Sequence, residues 1–153
     1  MLTNIRGLVD RLDLRPSRGA MPLFEAVSNA IDAIGERAIG MSQGNIRIRL
    51  AHAQDLAHQA GDITPIIDGI DVSDNGIGFD DVHLKSFEEA FTLAKVGMGG
   101  RGVGRFTFLK VFSDVSVRSV FEREGKRYAR TFRFSIDHEV HGAEAVQPTE
   151  EAV

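Results

Sequence analysis

The sequence predicts an α+β domain, a two-layer sandwich in which helices cover one face of a mixed, mostly antiparallel sheet. Stretches with helical spacing stand apart from stretches in which apolar and polar residues alternate, and the strand-like stretches follow one another in pairs. A regular strand–helix–strand repeat, which would favour a parallel sheet, is absent from the sequence. The 153 residues are enough for one domain with a core, and 42% hydrophobic residues is ordinary for a soluble globular protein.

The first half of the chain supplies two helices and two strands. "LTNIRGLVDRL" is weakly helical, and Pro22 opens a longer helix because its missing N–H costs nothing in a first turn. The spacing carries this helix through "PLFEAVSNAIDAIGERAI" to an end near Gly40. "NIRIRLAHA" and "PIIDGIDVSD" predict strands, and the polar "QDLAHQAGDIT" between them predicts a loop.

The second half supplies two more helices and a hairpin. "DDVHLKSFEEAFTLA" has helical spacing with an Asp to cap it, "KVGMGGRG" is a glycine-rich loop, and "VGRFTFLKVF" predicts a short helix. "DVSVRSVFE" and "RYARTFRFSID" predict strands that "REGK" joins as a hairpin. We expect the domain to occupy residues 1–137 and the polar tail, residues 138–153, to be disordered.

Charge and composition exclude several classes of protein. The net charge of −4 gives no global case for nucleic-acid binding, and without cysteine there is neither a disulfide framework nor thiolate chemistry. No apolar run approaches the roughly 20 residues that a membrane-spanning helix needs. The charged N-terminal stretch does not resemble a signal peptide, so we expect a cytoplasmic protein without a membrane partner.

The first polar cluster lies on the Pro22 helix. Glu25, Asn29 and Asp32 are spaced i, i+4 and i+7, so they share one helix face. Such a row is often only a solvated face. If it is functional, the residue types fit a base in Glu25, a Mg²⁺ ligand in Asn29 and a buried anchor in Asp32. Mg²⁺ prefers oxygen donors and keeps phosphates in its shell, and a neutral amide binds it without repelling phosphate.

The second cluster is "SDNGIGFDD", which follows a predicted strand. Asp74 is able to accept a hydrogen bond from an exocyclic amine such as that of adenine, and Gly76 and Gly78 allow a ligand to approach the backbone. Asp-Asn-Gly is also a favoured turn, and for the tripeptide alone the turn is the simpler interpretation.

The third cluster is "GMGGRGVGRF". Its glycines free several backbone N–H groups, and the N-terminus of the helix that follows is a ready anion site. Lys95, Arg101 and Arg105 add positive charge. The alternative is a flexible loop, but the placement directly before an apolar helix favours a phosphate cradle.

A dinucleotide site is a competing interpretation of the same glycines. Gly97, Gly99 and Gly102 fit G-x-G-x-x-G, with Glu122 at about the distance expected of a ribose-binding acid. That motif follows a strand, whereas here the helical "FEEAFTLAK" precedes it, which argues against an oxidoreductase.

The three clusters, in this order, resemble the motifs of the GHKL ATPases, the superfamily of gyrase B, Hsp-ninety-type chaperones, MutL and histidine kinases. "EAVSNAIDA" resembles the N-box, "DNGIG" the first glycine box and "GGRGVGRF" the second, and the resemblance spans roughly Met21 to Ser119. Each box is weak by itself, but their order and separation are specific. The resemblance implies a Bergerat-type fold that binds ATP or ADP with Mg²⁺.

The resemblance also implies roles for individual residues. Glu25 would polarise the attacking water, Asn29 would coordinate Mg²⁺, and Asp74 would bind the adenine amine. Further nucleotide contacts are implied for the two glycine boxes, for the N-box acid and for a mobile ATP lid from about residue 87 to residue 101. These expected contacts are Asp32, Gly76, Ile77, Gly78, Thr92, Lys95, Gly100, Arg101, Gly102, Val103 and Gly104.

The chain also departs from the superfamily pattern. No Gly-Thr follows the second glycine box, and Thr131 is a poor substitute for it. We therefore expect a piece of a longer ATPase that lacks its last strands and C-terminal domains and hydrolyses ATP slowly by itself. Its expected role is a nucleotide-driven conformational switch, with chaperone-like, DNA-transaction and phage-defence roles open and a nucleotide-dependent homodimer among the expected partners.

Two other functions within the same superfamily stay open. One is a nucleotide sensor that does not hydrolyse ATP. The other is a histidine-kinase-like catalytic domain, against which Glu25 argues, as does the lack of a histidine before the N-box.

Overall fold

The computed structural model describes residues 5–15, 18–37, 40–52, 67–95, 104–137 and 140–151. Four helices and five strands lie in these ranges, together with a 3₁₀ turn at Met41–Gln43. The helices are α1 (Ile5–Arg11), α2 (Met21–Glu36), α3 (Asp81–Lys95) and α4 (Gly104–Val111), and the strands are β1 (Ile46–His52), β2 (Ile67–Asp74), β3 (Asp114–Arg123), β4 (Lys126–Ser135) and β5 (Val146–Pro148).

The predicted α+β class is confirmed, with every strand pair of the described residues antiparallel. The strands form two sheets, β1–β2 and β3–β4–β5, instead of one. In the first sheet the register runs from Ile46 opposite Asp74 to Ala51 opposite Gly69. The sheets meet just beyond β2, where the backbone N–H of Phe79 donates to Ser119 Oγ of β3 at 2.6 Å. The segment that follows Asp74 thus contacts the second sheet directly, although the chain itself enters that sheet only at Asp114.

Helix α2 begins where the sequence predicts it and ends earlier. Pro22 occupies its first turn, and Ala30 and Ile34 are buried on its packing face. Arg37 is already extended, with φ −76° and ψ 128°, and its N–H bonds to the carbonyl of Ile34. The helix therefore ends at Glu36, short of the predicted end near Gly40.

The β3–β4 hairpin is confirmed, together with its turn. Glu124 and Gly125 have φ of 53° and 72°, the pair of positive angles that a tight two-residue hairpin turn requires. Along β4 the residues of one face are buried and those of the other face are largely exposed, as expected for an antiparallel sheet covered on one side.

The core lies between the inner face of this hairpin and helices α1 and α4. Its buried members are Val9, Phe106, Leu109, Phe132, Phe134 and Ala143. Phe79 and Phe87 extend it towards α3, with ring centroids 5.2 Å between Phe79 and Phe132 and 5.5 Å between Phe79 and Phe87. Edge-to-face pairs of this kind add about 0.5–1.5 kcal/mol each beyond their buried area.

The polar tail differs from the expected disorder within residues 140–151. Strand β5 pairs with β4, from Tyr128 opposite Pro148 to Arg130 opposite Val146, and Ala143 is buried in the core. Backbone hydrogen bonds also join Arg133 and His141 in both directions, at 3.1 and 3.0 Å. A short edge strand is held mainly by its backbone, so its side chains carry little of the alternation that would have predicted it.

Candidate functional site

The C-terminal end of α2 is docked on the segment that follows β2. The backbone N–H of Ile77 donates to the carbonyl of Ala33 at 2.9 Å, and Arg37 Nη1 donates to the carbonyl of Asn75 at 2.6 Å. The last carbonyls of a helix have no partner within the helix, so Ile77 satisfies one of them. The N-box helix and the first glycine box are therefore joined directly.

The two glycines of this box are needed for close packing. A Cβ on Gly76 would lie 2.6 Å from Ala33 Cβ, and one on Gly78 would lie 2.2 Å from the carbonyl oxygen of Val120. Gly78 also has φ of +78°, which favours glycine. On the side where a Cβ would point, both glycines thus face protein: Gly76 faces α2 and Gly78 faces β3. Approach of a ligand to their other side stays a prediction.

Asp74 ends β2 and is exposed to solvent. Its Oδ1 accepts a hydrogen bond from the N–H of Gly76 at 2.8 Å, the local turn that the sequence allowed. Its carboxylate makes no further hydrogen bond to the described residues, so the second oxygen is open to a ligand. The turn and the recognition role are therefore compatible, because the turn uses one oxygen and leaves the other without a hydrogen bond to the described residues.

Asn75, by contrast, is occupied in holding the start of β1. Its Oδ1 accepts from the N–H of Asn45 at 2.7 Å, and its Nδ2 donates to the carbonyl of Gln43 at 3.0 Å. These bonds fix the glycine box to the first sheet.

Glu25 and Asn29 lie in one row with Ala33, at i, i+4 and i+8 along α2. Four residues rise about 6 Å along a helix, so Asn29 is one turn and Glu25 two turns from the contact with Gly76. Asn29 is exposed and Glu25 is half-buried. The row therefore runs along α2 from the contact with Gly76 towards the start of the helix, and it carries two polar residues.

The prediction that Asp32 is a buried anchor is wrong. Its side chain is exposed. Asp32 lies on the same side of α2 as Glu25, about 100° around the helix from Ala33, so it does not face the glycine box as Ala33 does.

The remaining predicted contacts divide between α3, the glycine-rich loop and α4. Thr92 and Lys95 lie in the last turns of α3, of which the structure describes the backbone. Gly100, Arg101, Gly102 and Val103 lie outside the described residues. Gly104 is the first residue of α4, which confirms that a helix begins at the end of the glycine-rich loop.

Asp80 caps α3, as the sequence predicted for an Asp at this point. Its Oδ1 accepts from the N–H of His83 at 2.8 Å, and its carbonyl accepts from the N–H of Leu84 at 3.0 Å. Burial acts to raise the pKa of Asp80, but the hydrogen bonds from the His83 N–H and ring and the charge of that ring together lower it below its ordinary value.

Sequence reasoning missed Arg130, which holds the link between the glycine box and α3. Its side chain is 3% exposed, and Nη1 donates to the carbonyls of Phe79 and Asp80, both at 2.9 Å. Its Nη2 pairs with Asp81, and this hydrogen bond lowers the pKa of Asp81. The signal was available, because Arg130 takes an inward position of β4 between Tyr128 and Phe132.

The family model described as histidine kinase-, DNA gyrase B- and HSP90-like ATPase matches residues 21–139, more than half of the chain. The chain belongs to this family. The GHKL resemblance is thereby confirmed, and the ATP-binding class with it. No curated protein and no solved structure matches the domain.

Two features are absent from the residues that the structure describes. These residues contain no group of three or more His, Asp or Glu side chains placed to hold a metal ion. They also contain no helix with the length and apolarity to cross a bilayer.

Proposed function

We propose that this GHKL domain binds ATP together with Mg²⁺ beside the row of Glu25 and Asn29, with Asp74 at the adenine. The observation that carries the proposal is the docking of α2 on the glycine box through Ile77 and Ala33. From this contact Asn29 lies one helical turn and Glu25 two turns along α2, and this order supports our assignment of Asp74 to adenine, Asn29 to the metal and Glu25 to the γ-phosphate.

The residues present fit both the nucleotide and the metal. The open oxygen of Asp74 suits an amine donor, since a carboxylate accepts strongly and its other oxygen is already held by Gly76. The exposed amide of Asn29 suits Mg²⁺, which favours oxygen ligands and takes the rest of its shell from phosphates and water. When bound, Mg²⁺ would neutralise phosphate charge.

Glu25 is the group that we assign to water activation. It lies two turns from the glycine box, and the residue is half-buried. A carboxylate within hydrogen-bond reach of a water can orient it and take its proton. The same proposal includes a conformational switch that ATP drives in a longer protein. It also includes a nucleotide-dependent homodimer and a cytoplasmic location.

The first test is calorimetric titration of ATP and Mg²⁺ into the wild type and Asp74→Asn. Loss of a charged hydrogen-bond partner should weaken binding by about 1.5–3 kcal/mol, roughly 10- to 150-fold. Asp71→Asn, on the same strand and also exposed, is the matched control and should bind as the wild type does. Equal losses in both variants, or no binding by the wild type, would contradict the proposal.

Hydrolysis is tested separately with Glu25→Gln. If Glu25 activates water, the variant should bind ATP with nearly unchanged affinity while its turnover falls by about 100-fold or more. Glu122→Gln, on the exposed face of β3, is the control and should keep its turnover. Equal turnover in Glu25→Gln and the wild type would contradict the role assigned to Glu25, and ATP binding without turnover in the wild type would favour the non-hydrolysing sensor.

A further inference from the structure

His83 bridges the two helices that flank the glycine box. Its Nε2 lies 2.7 Å from Glu36 Oε2, at the last residue of α2, and its Nδ1 lies 2.6 Å from Asp80 Oδ1, at the cap of α3. The imidazole is half-buried between these two carboxylates, and it joins elements that are 47 residues apart in sequence. We call Glu36, His83 and Asp80 the histidine bridge.

The two contacts determine which form of the imidazole the bridge uses. A neutral imidazole has one N–H, so it can donate to one carboxylate while its other nitrogen presents a lone pair to the second. The protonated ring donates to both, and the short distances fit charge-assisted hydrogen bonds. The hydrogen bond to Glu36 raises the pKa of His83, with a further contribution from Asp80, against the opposing effect of burial.

The charges around the ring come from both packed helices. Glu36 faces it from α2, and Asp80 faces it from the start of α3, while Asp81 is engaged by Arg130 and Arg123 instead. A cation in the first turn of α3 is disfavoured by that helix's dipole and favoured by the C-terminal end of α2. The two adjacent carboxylates decide the balance in favour of the cation.

We infer that His83 is a positioning residue which, as an imidazolium, holds the C-terminal end of α2 against the start of α3 and so sets the row of Glu25 and Asn29 relative to Asp74. The inference rests on the proposed function for its effect on nucleotide. The bridge acts on the same end of α2 as the Ile77–Ala33 and Arg37–Asn75 hydrogen bonds. Of these three contacts the histidine bridge depends on pH, since deprotonation of His83 leaves one of the two carboxylates facing the lone pair of a ring nitrogen.

Glu36→Gln is the variant that separates this role from simple packing. A glutamine amide can accept from a protonated Nε2 or donate to a neutral one, so the contact no longer requires the cation. The variant should keep the bridge at every pH and lose its pH dependence. His52→Gln, in an exposed residue at the end of β1, is the matched control.

The experiment has two arms, performed on the full chain. In the first, NMR follows the imidazole C–H signals with pH, and His83→Gln assigns the His83 signal. We expect the His83 midpoint to lie above the ordinary value of 6.5 and to fall in Glu36→Gln. In the second, the ratio of Mg-ATP affinity at pH 6.0 to that at pH 8.5 is compared between variants, which cancels the ionisation of the nucleotide.

The expected ratio is about 5-fold larger in the wild type than in Glu36→Gln, and His52→Gln should match the wild type. A His83 midpoint that does not move in Glu36→Gln would overturn the bridge. A ratio that is the same in both proteins would overturn the positioning role. Absence of nucleotide binding at both pH values would overturn the proposed function and the positioning role with it. The NMR midpoints would still decide whether the bridge forms.

Discussion

At the scale of single residues, the first glycine box is a packing device as well as a candidate ligand site. Gly76 admits the backbone of α2, and Gly78 admits that of β3, each at a distance that no side chain would allow. The sequence shows that glycine is present but not which partner lies against it. That partner is set by long-range contacts, which is why both a turn and a ligand site were compatible with the same residues.

Gly78→Ala should destabilise the fold well beyond the effect of backbone strain. The new methyl would meet the Val120 carbonyl, and φ would remain at +78°, so we expect a loss of about 2–4 kcal/mol in the free energy of unfolding. Gly125→Ala is the control, because Gly125 has φ of +72° with nothing within 4 Å. Gly125→Ala should be destabilised by backbone strain alone, by roughly 1–2 kcal/mol. Urea unfolding measures both, and similar losses would contradict the close packing at Gly78.

At the scale of elements, the sequence predicts those parts of the fold that depend on neighbours along the chain. The β3–β4 hairpin, the cap of α3 and the start of α4 are local features, and the structure confirms all three. The end of α2 was misplaced because Arg37 turns aside to bond Asn75, a contact 38 residues away. Strand β5 was missed because a three-residue edge strand carries no periodic signal of its own.

The contacts that organise the site join residues that lie far apart in the sequence. Arg130 on β4 holds the residues that follow the glycine box, and His83 on α3 reaches the end of α2. Neither contact follows from spacing along the chain. A charged residue at an inward strand position is nevertheless a usable signal, since a buried charge needs partners and therefore marks a place where elements meet.

At the scale of the whole molecule, the ionisable groups around α3 limit stability from both sides of the pH range. Asp80 and Asp81 have lowered pKa values, by hydrogen bonds from His83 and from Arg130 respectively. Their contribution is present above the unfolded value of 3.8 and is lost as pH falls through the folded values. His83 has a raised pKa, so its contribution is full below 6.5 and is lost as pH rises through the folded value.

The domain should therefore be most stable between about pH 4 and pH 6.5, as measured by the midpoint of urea unfolding at a series of pH values. In the wild type, protonation of Asp81 at low pH removes its ion pair with Arg130. Asn has no proton to gain in this range, so Asp81→Asn should flatten the part of the acid limb that Asp81 causes. Asp32→Asn, in an exposed residue of α2 without an ion pair to the described residues, should leave that limb as it is in the wild type. His83→Gln should flatten the alkaline limb and weaken only the part of the acid limb that depends on Asp80, which loses the imidazole, since Asp81 keeps its bond to Arg130. An alkaline limb that persists in His83→Gln would place the neutral-pH sensitivity of the domain elsewhere than in the histidine bridge.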